Sequence, residues 1–338
     1  MPKLTKRGRG KSLESIGFYT LSDNRAKNIT PNSSIQRGEL ILTDRCNLNC
    51  VYCRGIKKEF RGDMELSYAE SVLDEWIKEG LKNVRFSGGE PTLYPHLDKL
   101  VWKCNQSGVK RIAVSTNGTQ DLRYYKDLIF LGVNDFSISL DSGCCAVNKV
   151  MSGGNKDVWS KASEAIKYLS KHCYVTVGVV FNEINYSQAK ETVEYIDSLS
   201  PADIRILSSA QFNQALTTLK ELPNRLLKKY PILNYRITNF RKGRNVRGIK
   251  ATDCNKCYLV LDDLAVVNKY QYPCIIYLRE QGVPISVMDG NFRKERLKWF
   301  NKHNTHLDNI CKNNCLDVCV DFNNKVQEIS ITERKGSR

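Results

Sequence analysis

The sequence predicts an α/β fold built on a parallel sheet. Apolar strand-like runs alternate with helical periodicity from Glu39 to Leu207. Each run is short and rich in Val, Ile or Phe, as strands buried on both faces are. The 338 residues, 41% of them hydrophobic, also supply enough material for a large core. Strand and helix in alternation imply right-handed βαβ units. Periodicity leaves open whether the sheet is flat or curled.

The elements follow in order. Glu39–Thr43 reads as the first strand. Tyr68–Glu79 carries Ala69, Val72, Leu73, Trp76 and Ile77 at helical spacing. Val84–Phe86 is the second strand and Leu97–Asn105 a helix. Arg111–Ser115 is the third strand and Leu122–Leu131 a helix. Asp135–Leu140 is the fourth strand, followed by a helix over Val158–Lys171. Tyr174–Phe181 is the fifth strand, Gln188–Ser198 a helix and Asp203–Leu207 the sixth strand. Small polar motifs end three of these strands: Ser87-Gly88-Gly89-Glu90-Pro91, Thr116-Asn117-Gly118 and Ser139-Leu140-Asp141. Ligands of parallel α/β folds gather at carboxyl strand ends, so a site is expected there.

Five segments are expected: a basic polar lead-in over 1–37, the α/β core over 38–210, a basic linker over 211–253, a cysteine-rich unit over 254–325 and a tail over 326–338. Lys3, Lys6, Arg7, Arg9 and Lys11 make the lead-in basic. In the cysteine-rich unit, Tyr258–Leu261 and Ala265–Val267 read as a hairpin around Asp262-Asp263.

Lys and Arg number 52 against 36 Asp and Glu, a net charge of +16, which favours nucleic acid or a nucleotide as partner. No apolar run is long enough for a bilayer, and the basic start lacks the apolar centre of a secretory signal, so a cytoplasmic location is expected. Thirteen cysteines in such a chain point to metal rather than disulfides.

Cys46, Cys50 and Cys53 follow the first strand directly. One loop can wrap three thiolates around a cluster and leave one iron open for a cosubstrate. A structural zinc site is the competing reading, but it wants four closed ligands. Cys254, Cys257 and Cys274 form a second group. Cys311, Cys315 and Cys319 follow at spacings that would share one face of a helix. Zinc competes with iron–sulfur here too. Cys144 and Cys145, in a loop beyond Asp141, are weaker candidates, as donors of a hydrogen atom.

The pattern CxxxCxxC, with Tyr52 before the last cysteine, resembles the signature of radical S-adenosylmethionine (SAM) enzymes. Gly88-Gly89-Glu90-Pro91 stands in register with it, and the resemblance covers about residues 39–210. It implies a partial (β/α)6 TIM-type barrel with a small C-terminal cysteine-rich appendage. It implies a [4Fe–4S] cluster on Cys46, Cys50 and Cys53, S-adenosylmethionine as cosubstrate, and a flavodoxin- or ferredoxin-type reductant. Gly88, Gly89, Glu90 and Pro91 would meet the methionine end, with the Glu90 carboxylate on its ammonium group. Ser115, Asn117, Ser139, Asp141 and Asn182 would touch cosubstrate or substrate, although each is equally a turn former or cap.

The second cysteine group resembles the auxiliary-cluster appendages of the same family, the twitch and SPASM forms. These imply an auxiliary [4Fe–4S] centre on Cys254, Cys257, Cys274 and one of Cys311, Cys315 and Cys319. The family's GTP cyclase of molybdenum-cofactor synthesis carries arginines just after its CxxC. This sequence has Tyr258-Leu259-Val260-Leu261 there, so a substrate other than GTP is expected.

The leading substrate class is a nucleotide or nucleic-acid base. Arg225, Lys228, Lys229, Arg236, Arg241, Lys242, Arg244, Arg247 and Lys250 are interleaved with Tyr230, Tyr235 and Phe240, which suits phosphates and stacked bases. A solvated linker is the bland alternative. A peptide maturase is the rival enzyme reading. A zinc-containing nucleic-acid binder ranks last, because it leaves Gly88-Gly89-Glu90-Pro91 and the open triad unexplained.

Overall fold

The computed structural model describes residues 23–55, 60–209 and 215–336. Six parallel strands form the core sheet: β1 (Arg37–Ile41), β2 (Asn83–Ser87), β3 (Arg111–Thr116), β4 (Asp135–Ser139), β5 (Tyr174–Phe181) and β6 (Asp203–Ser208). Each pairs with its neighbour in sequence order, and helices between them cover the outer face. The sheet stays open, with β6 at one edge. This is the partial β/α barrel expected. Among the described residues, no helix is long and apolar enough to cross a membrane.

Alternation along the strands sorts the two faces. Leu40, Phe86, Val114 and Ile138 enter the main apolar core beneath the helices. Glu39, Arg85, Ser115, Ser137 and Arg205 point the other way and line cavities inside the curl. The inner face is polar and bonded: Arg85 donates to Ser115 Oγ at 2.6 Å and Ser87 Oγ to Glu39 at 2.8 Å. Packing on the outer face is tight enough to specify glycine. A Cβ at Gly38 would lie 2.4 Å from the Trp76 ring.

The cysteine-rich unit is joined to the barrel as part of its sheet. β7 (Asp263–Val267) pairs in parallel with β1, and β8 (Tyr270–Tyr272) and β9 (Ser286–Val287) continue antiparallel. The hairpin expected around Asp262-Asp263 is therefore displaced. Tyr258–Leu261 is a 3₁₀ turn, and the chain reverses at Asn268-Lys269, where Asn268 takes the left-handed conformation with φ 47°. Cys311, Cys315 and Cys319 do not share one helix. The helix Asn309–Asn314 ends, Cys315 and Leu316 are extended against Arg247 and Gly248, and a new helix runs over Asp317–Gly336. No break marks the tail expected at residue 326.

The segment expected as a linker is packed. Leu226, Tyr230, Leu233, Ile237 and Phe240 join the main core. Asp203, at the start of β6, accepts from Ile232 N in the first turn of the helix Pro231–Arg241. Four of the nine basic residues from Arg225 to Lys250 find carboxylates elsewhere in the chain. Arg225 and Lys229 pair with Asp197, Arg236 with Asp317 in a buried pair, and Arg244 with Asp321. Tyr230 and Phe240 are buried, so neither offers a face for a stacked base, and the half-buried Tyr235 donates to Asp321. The lead-in is partly folded as well. The helix Asp23–Asn28 packs Ala26 on Phe322 and Val326, and Arg25 pairs with Asp262. Lys3, Lys6, Arg7, Arg9 and Lys11 lie outside the described residues.

Candidate active site

The loop after β1 carries Cys46, Cys50 and Cys53, and the ends of β2 and β3 hold it by backbone and side-chain bonds. Gly89 N donates to Thr43 O at 2.7 Å, Glu90 N to Arg45 O at 2.8 Å, and Asn117 Nδ2 to Asn47 Oδ1 at 2.8 Å. The two glycines serve this approach. A Cβ at Gly88 would lie 2.4 Å from Thr43 O, and one at Gly89 2.3 Å from Arg45 O. The far side of the loop is tied to the helix Cys145–Met151, where Val51 N reaches Met151 O at 3.1 Å.

Cys46, Cys50, Cys53, Gly88, Gly89, Glu90, Ser115, Asn117, Ser139 and Asp141 all line one cavity of about 380 Å³. The structure thus brings together nearly every residue expected there. Asn182 is not among them. Its Oδ1 accepts from Ile184 N at 2.9 Å within its own turn, so it is a turn former. Pro91 begins a buried 3₁₀ turn and does not line the cavity. Cys144 and Cys145 sit exposed at a helix start, outside the cavity.

Glu90 departs from expectation. Its carboxylate is buried and already accepts four bonds: Thr92 N at 3.2 Å, Thr92 Oγ1 at 2.8 Å, Thr116 Oγ1 at 2.7 Å and Asn117 N at 2.7 Å. It clamps the end of β2 to the end of β3, with three bonds on Oε1 and only that from Asn117 N on Oε2. Glu90→Gln is expected to destabilise the chain by about 1–3 kcal/mol, because its amide nitrogen would face one of these donors. Denaturant unfolding of the apo chain measures this. An unchanged unfolding curve with a weaker affinity for S-adenosylmethionine would return Glu90 to the ligand.

Asp141 has a similar duty. Val180 N donates to it at 2.9 Å and Tyr52 O–H at 2.7 Å, which ties the cysteine loop to β5. Burial nevertheless pushes its carboxyl up to about 6. Burial, then the charge of Asp141, pushes the Cys50 thiol up to about 12. As a free thiol it stays protonated at neutral pH, so a bound cation is what turns it into a ligand. Sequence reasoning missed Asn148, whose Oδ1 accepts from Asp141 N at 3.2 Å. It lies on a helix whose few residues show no clear apolar period.

A second cavity, of about 360 Å³, is lined by Cys257, Cys274, Cys311, Cys315 and Cys319. Cys315 Sγ donates to Leu316 O at 3.8 Å, and the charges of Cys257 and Cys274 are felt at Cys311 and Cys315. Cys254 is not brought to this group. Its Sγ accepts from Lys256 N at 3.4 Å, outside the cavity. Burial raises Cys257 and Cys311 and pushes Cys274 up to about 12. His303 Nε2 lies 3.5 Å from Cys311 Sγ, and Asp308, which caps the helix carrying Cys311, completes a close trio of potential ligands.

Three thiols on one loop, facing a cavity walled by strand ends, define a metal-cluster enzyme with room for an organic cosubstrate. Residues 40–196 match the family model of the radical SAM superfamily, and this part of the chain is a radical SAM domain. A GTP 3′,8-cyclase of Staphylococcus saprophyticus is 35% identical over 127 residues, 34% of this chain and 37% of its own. A probable GTP 3′,8-cyclase of Methanococcus maripaludis is 24% identical over 201 residues, 59% of this chain and 65% of its own. The matches thus span between about a third and two thirds of these relatives' length. Among solved structures, anSMEcpe with bound AdoMet and Cp18Cys peptide superposes with a TM-score of 0.57 at 16% identity, covering 89% of this chain and 98% of that one. SuiB of Streptococcus suis bound to precursor peptide SuiA gives 0.55 at 16% identity, covering 82% and 67%. At that identity they establish the fold alone.

The family implies a [4Fe–4S] cluster and S-adenosylmethionine, and the residues fit both. The donor set is three soft thiols with no fourth cysteine or histidine among the described residues of the cavity, which has backbone and hydroxyl groups at its strand ends. When bound, the pair supplies reductive cleavage of the sulfonium to a 5′-deoxyadenosyl radical. The chain's own residues hold, orient and enclose. Cys46, Cys50 and Cys53 would be the ligands. Glu90 and Asp141 fix the loop that carries them, and Ser115, Asn117 and Ser139 offer polar groups along the wall.

Proposed function

We propose that this enzyme modifies or rearranges a nucleotide. The carrying observation is the cavity shared by the cysteine loop and the ends of β2, β3 and β4, which opens beside a second cysteine-lined cavity. A substrate between them would reach the cosubstrate from one side. The relatives named GTP 3′,8-cyclase and the net charge of +16 support a nucleotide. We propose also an auxiliary [4Fe–4S] centre on Cys257, Cys274 and two of Cys311, Cys315 and Cys319, with Cys254 left out.

The test is substrate-dependent turnover. Anaerobically reconstituted protein is given S-adenosylmethionine, dithionite and one nucleotide at a time, each deuterated in its ribose. The expected result is one nucleotide that raises 5′-deoxyadenosine formation and passes deuterium into it. No stimulation by any nucleotide, with stimulation by a peptide, would replace this reading with peptide maturation.

A further inference from the structure

Glu39, Ser115, Arg205, Leu207, Arg247 and Arg279 line both cavities and so form the wall between them. Two of the arginines there have no carboxylate partner among the described residues. Arg279 donates to Gly55 O and Gly88 O, both at 2.8 Å, and so bridges the cysteine loop and the Gly-Gly turn. Arg247 donates to Asn314 O at 3.3 Å, while its Nε is buried without an acceptor. Arg54, next in the chain to Cys53, lines the same space and pairs with Glu280.

Arg54, Arg247 and Arg279 line the first cavity together, and Arg247 and Arg279 line the second as well. Like charges drawn together in a half-buried wall are unfavourable unless an anion joins them. Guanidinium groups fit phosphate or carboxylate oxygens in a planar, two-pronged geometry.

We infer that Arg247 and Arg279, with Arg54 beside them, hold an anionic group of the substrate, a phosphate or a carboxylate, in the wall between the two cavities. Arg279, Gly88 and the three loop cysteines line one cavity, so a molecule anchored there has its uncharged part beside the cosubstrate site. This rests on the proposed active site for the position of the reacting carbon. Binding of the anion needs no turnover.

The test is calorimetric titration of anaerobically reconstituted protein with inorganic pyrophosphate and, separately, with malonate. One of the two should bind. Arg247→Gln and Arg279→Gln should each weaken it about tenfold to a hundredfold, the usual worth of a charge-assisted bond. Arg241→Gln, whose side chain meets only the Lys220 carbonyl at the surface, should bind like wild type. Binding of pyrophosphate identifies a phosphate and binding of malonate a carboxylate, and either supports the inference. If a glutamine variant does not fold, Arg247→Lys serves instead. It keeps the charge but loses the planar fork, and should bind more weakly than wild type. Failure of both anions to bind, or affinity unchanged in these variants, overturns the inference and assigns the arginines to the thiolates of the second cavity. Wild type that binds the anion yet makes no 5′-deoxyadenosine would remove the proposed reaction and leave the anion site standing.

Discussion

Replacing Cys46, Cys50 and Cys53 together by alanine abolishes 5′-deoxyadenosine formation by the reconstituted protein with dithionite and S-adenosylmethionine. The effect is expected to be complete because the loop offers no substitute ligand. Asn47, Asn49 and Tyr52 fill its remaining polar positions, and Asn47 and Tyr52 are already bonded to Thr119 and Asp141. Backbone N–H groups of Leu48 and Gly55 lie 3.5 and 3.4 Å from the Cys46 and Cys53 sulfurs. The loop itself should survive, since Gly89 and Glu90 hold it by backbone bonds that do not involve sulfur. The variant should therefore unfold near the wild-type temperature while losing all product. Cys144→Ser, outside the cavity, is the control and should keep its activity. Product at the wild-type rate from the triple variant would refute the assignment of the site.

Much of the barrel is legible in the sequence because parallel strands and amphipathic helices have strong, different periods. The helix Leu122–Leu131 and β5 stand where the pattern puts them, and the other core elements shift by only a residue or two. Long-range pairing is what local reading lacks. In the basic run from Arg225 to Lys250, Arg225, Lys229, Arg236 and Arg244 are taken up by Asp197, Asp317 and Asp321, partners that a local reading does not show. Glu90 reads as a ligand group alone, and its bonds to Thr116 and Asn117, at the end of a different strand, give it a structural duty that a local reading does not show. Tyr258–Leu261 is as apolar as a strand. Its neighbour β7 wins the place beside β1, and the real turn signal was Asn268, suited to the left-handed conformation. The motif at Cys254 and Cys257 implied paired ligands, yet only Cys257 of the two lines the second cavity.

That last difference sets the second large effect. A variant lacking the first triad should retain about four irons per chain if an auxiliary [4Fe–4S] centre is present. Adding Cys257→Ala and Cys274→Ala should remove them. Both thiols line the second cavity, and Cys254 does not. Adding Cys254→Ala to the triad variant should leave the iron in place. Among the last three cysteines, any single replacement should be tolerated better than a double one, because five thiols face a centre that needs four. Iron, sulfide and zinc analysis of each variant, with its absorption spectrum, makes the measurement. Iron lost on replacing Cys254 alone would restore the ligand set read from the CxxC spacing. Stoichiometric zinc without iron–sulfur absorption would give the second cavity a structural metal and take the auxiliary centre away.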